Sequence, residues 1–476
     1  MKYLFADFET SDSHINSLCI LEGAFLLCDE NFNELDRLEV KCRLRPTTLP
    51  SVGALLVNNV SPEMLSGANL SHHEAVMMIQ KKLKQWEPFV IIGHNIVGFD
   101  LELWIRQCYK NLIPDVYQLK KLPNKVMDTL SLARASKIVK KDGLKCELSP
   151  KNSYLFKLES LCKENNIEHI GQHTAMGDVS ANLRLGKLIK DLTPNVWDAG
   201  LMTGHKTEAE KKLKENLMLS HVAYFYGRPR LYLISHLFIH ALYPGWSICF
   251  DLKHDPEPLF KLGYQDLQKA ISKSPKFLRT IRTNKSEILL DPSYAMKDDA
   301  YIMQNPDVYE KRALAVRNNK NFIDLASRIV ADDSQQKQAS SQPVLLPEER
   351  LYADNFPSKK DTNIMNLFHQ KETWEERIKL AESFEQDKYN FFLKVLAYEE
   401  APDKMPKSMY NEIHREFASR LNSLTGDEKW VTFGRFYSEL DHYRDKFDRE
   451  GNKEKLALLN KYDKYIMNIQ KKFEVA

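Results

Sequence analysis

The sequence predicts an α/β domain followed by a small β-rich domain and an all-helical domain, and three observations carry that prediction. A chain of 476 residues is too long for one ordinary core. Residues 1–193 alternate apolar strand-like runs with helix-periodic stretches, the pattern of helices packed on a sheet. The composition then changes near residue 200, and again after a Gln- and Ser-rich stretch at 332–347. These changes divide the chain into 1–195, 200–335 and 348–476.

Met1–Phe8 is an apolar run that reaches an acid at Asp7; it is too short for a secretory signal and lacks a small-residue cleavage site, so it reads as a core strand. Cys19–Asp29 and Glu34–Leu44 read as the next strands, joined by a polar turn. Ser71–Gln85 has helical spacing with a serine suited to cap its first turn. Phe89–Ile92 is a short buried strand and Asp100–Asn111 the helix after it. Beyond 200, Thr207–Leu219 is helical, and Ala223–Leu237, Trp246–Leu252 and Lys276–Leu290 are strand-like. Leu259–Ile271 and Asp307–Ala331 read as helices among them. The polar segment 332–347 reads as a linker. Thr373–Tyr398, Met409–Leu424, Phe433–Phe447 and Lys453–Phe473 all carry helical apolar spacing.

A net charge of +3 is close to neutral, so any nucleic-acid groove must be local. Lysine-rich stretches at 81–84, 118–125 and 137–145 read as solvated faces or as backbone-tracking cations. The seven cysteines include no CxxC pair, which argues against a disulfide framework or a zinc ribbon. No apolar run approaches the roughly 18–20 residues needed to cross a bilayer. A cytoplasmic protein with reduced thiols is the expectation.

Three short motifs carry chemistry. Asp7-Phe8-Glu9-Thr10 ends an apolar strand, and residues two apart in a strand face the same way, so Asp7 and Glu9 form a pair of neighbouring carboxylates. A hard divalent cation relieves their repulsion, though alone the pair reads more simply as solvated acids at a strand end. Gly93-His94-Asn95-Ile96-Val97-Gly98-Phe99-Asp100 suits a tight strand-to-helix connection, and Asp100 alone reads as a ligand or as a helix cap. His173 lies five residues before Asp178, just ahead of the apolar-periodic helix Val179–Leu192. A histidine there is structural, or a general base if three acids stand beside it.

The order Asp-x-Glu, then Asp, then His-x4-Asp resembles that of the DEDDh exonucleases. DFETSD, LLVNNVSPEM (55–64), GHNIVGFDLELWIRQCYKN (93–111) and LESLCKENNIEHIGQHTAMGDV (158–179) are similar to bacterial exonuclease I in particular. The resemblance implies a ribonuclease-H-like exonuclease domain, an SH3-like middle domain and a helical C-terminal domain. It also implies 3′→5′ degradation of single-stranded DNA to mononucleotides, in DNA repair and recombination. Asp7, Glu9, Asp100 and Asp178 are then ligands of two Mg²⁺ ions, with Mn²⁺ as an alternative, and His173 is the general base. Phe8 and Phe99 flank these acids and read as faces for terminal bases, Phe99 equally as core packing; Lys157 stands where the family carries a basic residue near the phosphates, and Glu9 is counted among the substrate contacts. The acidic C-terminal tail of single-stranded DNA-binding protein is the implied partner, with Arg228 and Arg317 as its basic receptors on a monomeric enzyme. An exoribonuclease of the same superfamily and a non-catalytic single-strand binder are the rival readings.

Overall fold

The computed structural model describes residues 1–339 and 344–474. Among the described residues, ten strands form two five-stranded sheets. The first sheet contains β1 (Tyr3–Thr10), β2 (Ile20–Cys28), β3 (Glu34–Lys41), β4 (Val90–Gly93) and β5 (Lys125–Asp128), in the order β3-β2-β1-β4-β5. β1, β2 and β3 run antiparallel, while β4 and β5 run parallel to β1. The apolar runs of β1, β2 and β4 explain their central places. β3, with alternating charges, is the solvated edge.

Because side chains alternate along a strand, each face of this sheet has its own core. Tyr3, Phe5, Leu26 and Ile92 pack beneath the helix Ala175–Leu192 and Trp197. Leu4, Ala6, Phe8, Phe25 and Ile91 pack beneath the helices His72–Trp86 and Asp100–Lys110. The first of these two helices opens with the expected cap: Ser71 Oγ accepts from the Glu74 N–H at 3.1 Å, and the Glu74 carboxylate accepts from the Ser71 N–H at 2.7 Å.

The second sheet contains β6 (Leu219–Phe225), β7 (Arg228–Ile239), β8 (Trp246–Asp251), β9 (Leu278–Arg282) and β10 (Leu289–Leu290). Its order is β10-β6-β7-β8-β9, antiparallel throughout. The stretch 223–237, expected as one strand, is a hairpin that turns at Tyr226-Gly227. The stretch 276–290 splits into β9 and β10, which lie on opposite edges.

The helix expected over 307–331 is two, Pro306–Asn318 and Lys320–Ala339. The second runs on through 332–339, where the sequence suggested a linker. Its polar residues have partners on the protein: Asp332 accepts from Tyr264 Oη at 2.6 Å, Asp333 from Gln268 Nε2 at 2.8 Å, and Ser334 Oγ meets His240 Nε2 at 3.0 Å. The rest of the suggested linker includes 340–343, which lie outside the described residues.

From Lys359 onward the described elements are helical, the last four α-helices being Asp387–Glu400, Lys407–Leu421, Phe433–Arg449 and Lys453–Gln470. They dock on the first sheet's loops through the buried Arg45–Glu399 ion pair at 3.0 Å and through Tyr462 Oη, which donates to the Val60 carbonyl at 2.7 Å. No described helix is long and apolar enough to cross a membrane. All seven cysteines are free thiols.

Candidate active site

The C-terminal end of β1 presents Asp7 and Glu9 on the face covered by the helix Ala175–Leu192, whose first turn carries Asp178. Carboxylate oxygens of Asp7, Glu9 and Asp178 lie within 4.8 Å of one another. Two local features aim Asp178 there. Thr174 caps the helix, its hydroxyl accepting from the Gly177 N–H at 3.2 Å and donating to the Gly171 carbonyl at 2.6 Å. Gly177 presses against that carbonyl so closely that a Cβ would overlap it.

Asp100 is delivered from the other side of β1. The loop after β4 turns at Asn95, held at φ +66°, and Gly98 folds over the Asn95 side chain, leaving no room for a Cβ. Phe99 takes the N-cap position with no side-chain cap bond, so Asp100 is the first helical residue and not the cap. It is 6% exposed.

Crowding and burial hold these acids away from their ordinary acidities. Burial, then Asp100, Glu9 and Asp178, pushes Asp7 well above the usual carboxylate range. Burial, then Asp178, Glu22 and Asp100, pushes Glu9 up to about 8. Burial pushes Asp100 up to about 7. Four oxygen donors short of positive charge fit a hard divalent cation, with Asp7, Glu9 and Asp178 as the inner group and Asp100 beside them.

Several residues at this site escaped the sequence reading. Glu22 stands opposite Glu9 in the antiparallel β1–β2 register and pairs with Lys41 at 3.5 Å. His169 Nε2 meets Asp178 Oδ1 at 2.5 Å, an arrangement that fixes the carboxylate. Asp128, at the end of β5, accepts from the Asn95 N–H at 3.0 Å and the Val97 N–H at 3.2 Å, and so holds the loop that delivers Asp100. His94 bridges this loop to the next segment, with Nδ1 3.2 Å from Thr129 Oγ1 and Nε2 2.7 Å from the Phe156 carbonyl oxygen.

The expected general base, His173, is half-buried in the turn before the Asp178 helix, at φ +63°. Among the described residues it makes no hydrogen bond or ion pair; the histidine that touches the cluster is His169. Phe99 is half-buried at the mouth of the loop, and Lys157, exposed, precedes the helix Leu158–Glu164.

Two expectations are corrected. Phe8 is 8% exposed and lies in the opposite core, stacked on Trp104 at 6.0 Å and edge-on to Phe25 at 5.4 Å. The alternation that puts Asp7 and Glu9 together turns Phe8 away, so it offers no face to a base. Arg317 is committed internally: Nε donates to Ser235 Oγ at 3.1 Å, Nη1 to the Lys214 carbonyl at 3.0 Å, and Nη2 to the carbonyls of Leu213 and Asn216. It satisfies the C-terminal carbonyls of the helix Lys206–Glu215 and has no fork left for a peptide carboxylate. Arg228 donates to Asn152 Oδ1 at 2.7 Å and lies 4.4 Å over the Tyr154 ring.

A 3-2-1-4-5 mixed sheet with carboxylates gathered at the end of its central strand defines a ribonuclease-H-like nuclease fold. No family model matches the chain. Exodeoxyribonuclease I of Escherichia coli (strain K12) is 26% identical over 338 residues, covering 65% of this chain and 71% of that protein. The crystal structure of E. coli exonuclease I in complex with a dA16 oligonucleotide superposes with a TM-score of 0.81 at 21% identity, over 98% of this chain and 99% of that one. A structure of SSB/exonuclease I with an inhibitor superposes with a TM-score of 0.80 at 21% identity and the same coverage. The fold is that of exonuclease I along nearly the whole chain, and the resemblance read from the motifs holds.

Proposed function

We propose that this chain is a 3′→5′ exodeoxyribonuclease that releases mononucleotides from single-stranded DNA. The observation that carries the reading is the convergence of Asp7, Glu9 and Asp178 within 4.8 Å at the end of β1. The relatives named exodeoxyribonuclease I, and an exonuclease I solved with an oligonucleotide, supply the substrate class.

In this reading Asp7, Glu9, Asp100 and Asp178 hold two Mg²⁺ ions. When bound, such ions stabilise the attacking and leaving oxygens of an in-line displacement. A water oxygen attacks the terminal phosphorus and the bond from phosphorus to the 3′ oxygen of the preceding nucleotide breaks; that oxygen takes up a proton from solvent as the 3′ hydroxyl of the shortened strand, and a nucleoside 5′-monophosphate is released. His173, without a partner among the described residues and next to the Asp178 helix, takes the water's proton. His169 keeps Asp178 turned inward, Phe99 lies against the terminal base, and Lys157 neutralises a phosphate. Glu9 lines the same pocket.

The proposal extends to a monomeric cytoplasmic enzyme that docks the acidic tail of single-stranded DNA-binding protein, with Arg228 as the remaining receptor of the two first considered. Incubation of a 5′-labelled oligothymidylate with wild type and Asp7→Asn, with and without EDTA, tests the core of it. Stepwise loss of mononucleotides by the wild type alone, abolished by EDTA, is expected. Persistent hydrolysis in excess EDTA overturns it.

A further inference from the structure

We propose that the tip of the β6–β7 hairpin, Phe225 and Tyr226, is a base-stacking platform for single-stranded DNA, mounted on the segment that braces the Asp100 loop; this rests on the nuclease reading above. Tyr226 is 93% exposed and Phe225 is 45% exposed, and Leu148, 50% exposed, lies on the neighbouring segment. Tyr226 occupies φ +50° and Gly227 φ +73°. A two-residue turn with both φ values positive favours Asn-Gly or Gly-Gly, so a bulky aromatic there is a strained choice with no packing to explain it.

The tip is held rigidly. The Tyr154 N–H donates to the Gly227 carbonyl at 2.9 Å, and Gly227 packs on Ser153 where a Cβ would overlap it. Tyr224 Oη donates to the Tyr154 carbonyl at 3.1 Å, and Arg228 is fixed on Asn152 and on the Tyr154 ring. The supporting segment continues to Phe156, whose carbonyl meets His94 in the loop that delivers Asp100. The platform is thus linked, through residues 154–156, to the loop that delivers Asp100.

Charge selects the occupant. Residues 134–157 and 223–232 together carry nine Lys and Arg against two acids, Asp142 and Glu147, in a chain whose total is +3. The cations stand among aromatic rings: Arg134 lies 4.1 Å over Tyr224, and Lys137 lies 5.3 Å from the Tyr154 ring centre. A local excess of positive charge interleaved with exposed aromatics matches a single strand, whose phosphates meet the cations while its bases stack.

The test is fluorescence anisotropy of a labelled oligothymidylate in EDTA, for wild type, Tyr226→Ala, Tyr226→Phe and Arg230→Ala, each across a salt series. Tyr226→Ala should weaken binding about 5- to 150-fold, the equivalent of about 1–3 kcal/mol for one stacked base, with the salt slope and the melting temperature unchanged. Tyr226→Phe should restore the affinity, and Arg230→Ala should lower the slope by about one. Tyr226→Ala binding within twofold of wild type overturns the platform while leaving the nuclease reading intact. Loss of binding to a labelled acidic peptide with DNA binding unchanged reassigns the tip to a protein partner. A wild type that neither binds nor cleaves the oligonucleotide overturns both.

Discussion

The acid cluster makes the metal-free protein sensitive to pH in a way that one substitution should remove. Glu9 is pushed from its ordinary 4.5 to about 8, chiefly by burial and then by Asp178 and Glu22. A carboxyl whose folded pKa is raised contributes its full stability below about pH 4.5 and loses it as pH climbs to about 8. At about 1.36 kcal/mol per decade, the gap between those values sets a ceiling of about 5 kcal/mol. Glu9 is partly open to solvent and its neighbours can relax, so about 1–2 kcal/mol is the expected realised loss. For a cooperative unit of about 150–250 residues that is a fall of about 2–8 °C in melting temperature. Glu9→Gln removes the charge and keeps the shape. Differential scanning calorimetry in EDTA should show wild type and Glu9→Gln melting together at about pH 4 and the variant melting higher at about pH 8.5. Added Mg²⁺ or Mn²⁺ should raise the wild type and close the gap. An identical difference between the two proteins at both pH values would refute the argument that burial, with like-charge crowding behind it, raises Glu9.

Three further outcomes follow from individual contacts. His173→Ala should lower kcat about 10²–10⁴-fold while oligonucleotide affinity in EDTA stays unchanged, because it removes a proton acceptor and no ligand; rapid-quench kinetics measures it. His169→Ala should weaken Mn²⁺ binding about 10–100-fold in isothermal titration, since it frees Asp178 from the side chain that orients it. Arg317→Ala should destabilise the protein by about 1–3 kcal/mol in urea unfolding, because it leaves the last carbonyls of the helix Lys206–Glu215 without donors. Binding of an acidic tail peptide should not respond to it.

What the sequence made legible was what depends on short spacing. Asp7 and Glu9 share a face by the period of a strand, and the glycines and Asn95 before Asp100 mark a turn that only such residues make. The same period forbids Phe8 from joining them; its placement near the substrate came from proximity in sequence, which alternation overrides. His169 was invisible because its contact with Asp178 depends on the path of the turn through Gly171 at φ +73° and His173 at φ +63°. Glu22 and Asp128 act across strand pairings, and pairing register is a long-range property. Residues 332–339 misled in the opposite direction. Their polarity suggested a solvated linker, yet Asp332, Asp333 and Ser334 find partners on Tyr264, Gln268 and His240.

Packing is continuous across the division expected at 195–200. The helix Pro194–Thr203 lies between the two sheets, and Trp197, fully buried, donates from Nε1 to Tyr3 Oη at 3.2 Å on the first strand of the first sheet. Three residues later Gly200 sits against Leu132, Met127 and Ile288, so that residues from both halves of the chain meet at one backbone position. One apolar cluster runs from Phe5 through Trp197 to Leu231 and Phe250 of the second sheet. Lys285, from the second sheet's last loop, donates to the Val97 carbonyl at 2.9 Å, inside the loop that delivers Asp100. The second sheet is therefore part of what fixes the loop that carries Asp100. Ending the chain near 193 would expose Tyr3 and Phe5 beneath the missing tryptophan and release Val97. Loss of cleavage in such a fragment would thus report damage to the site itself, and a role of the middle part in holding DNA is better read from point substitutions at the hairpin tip.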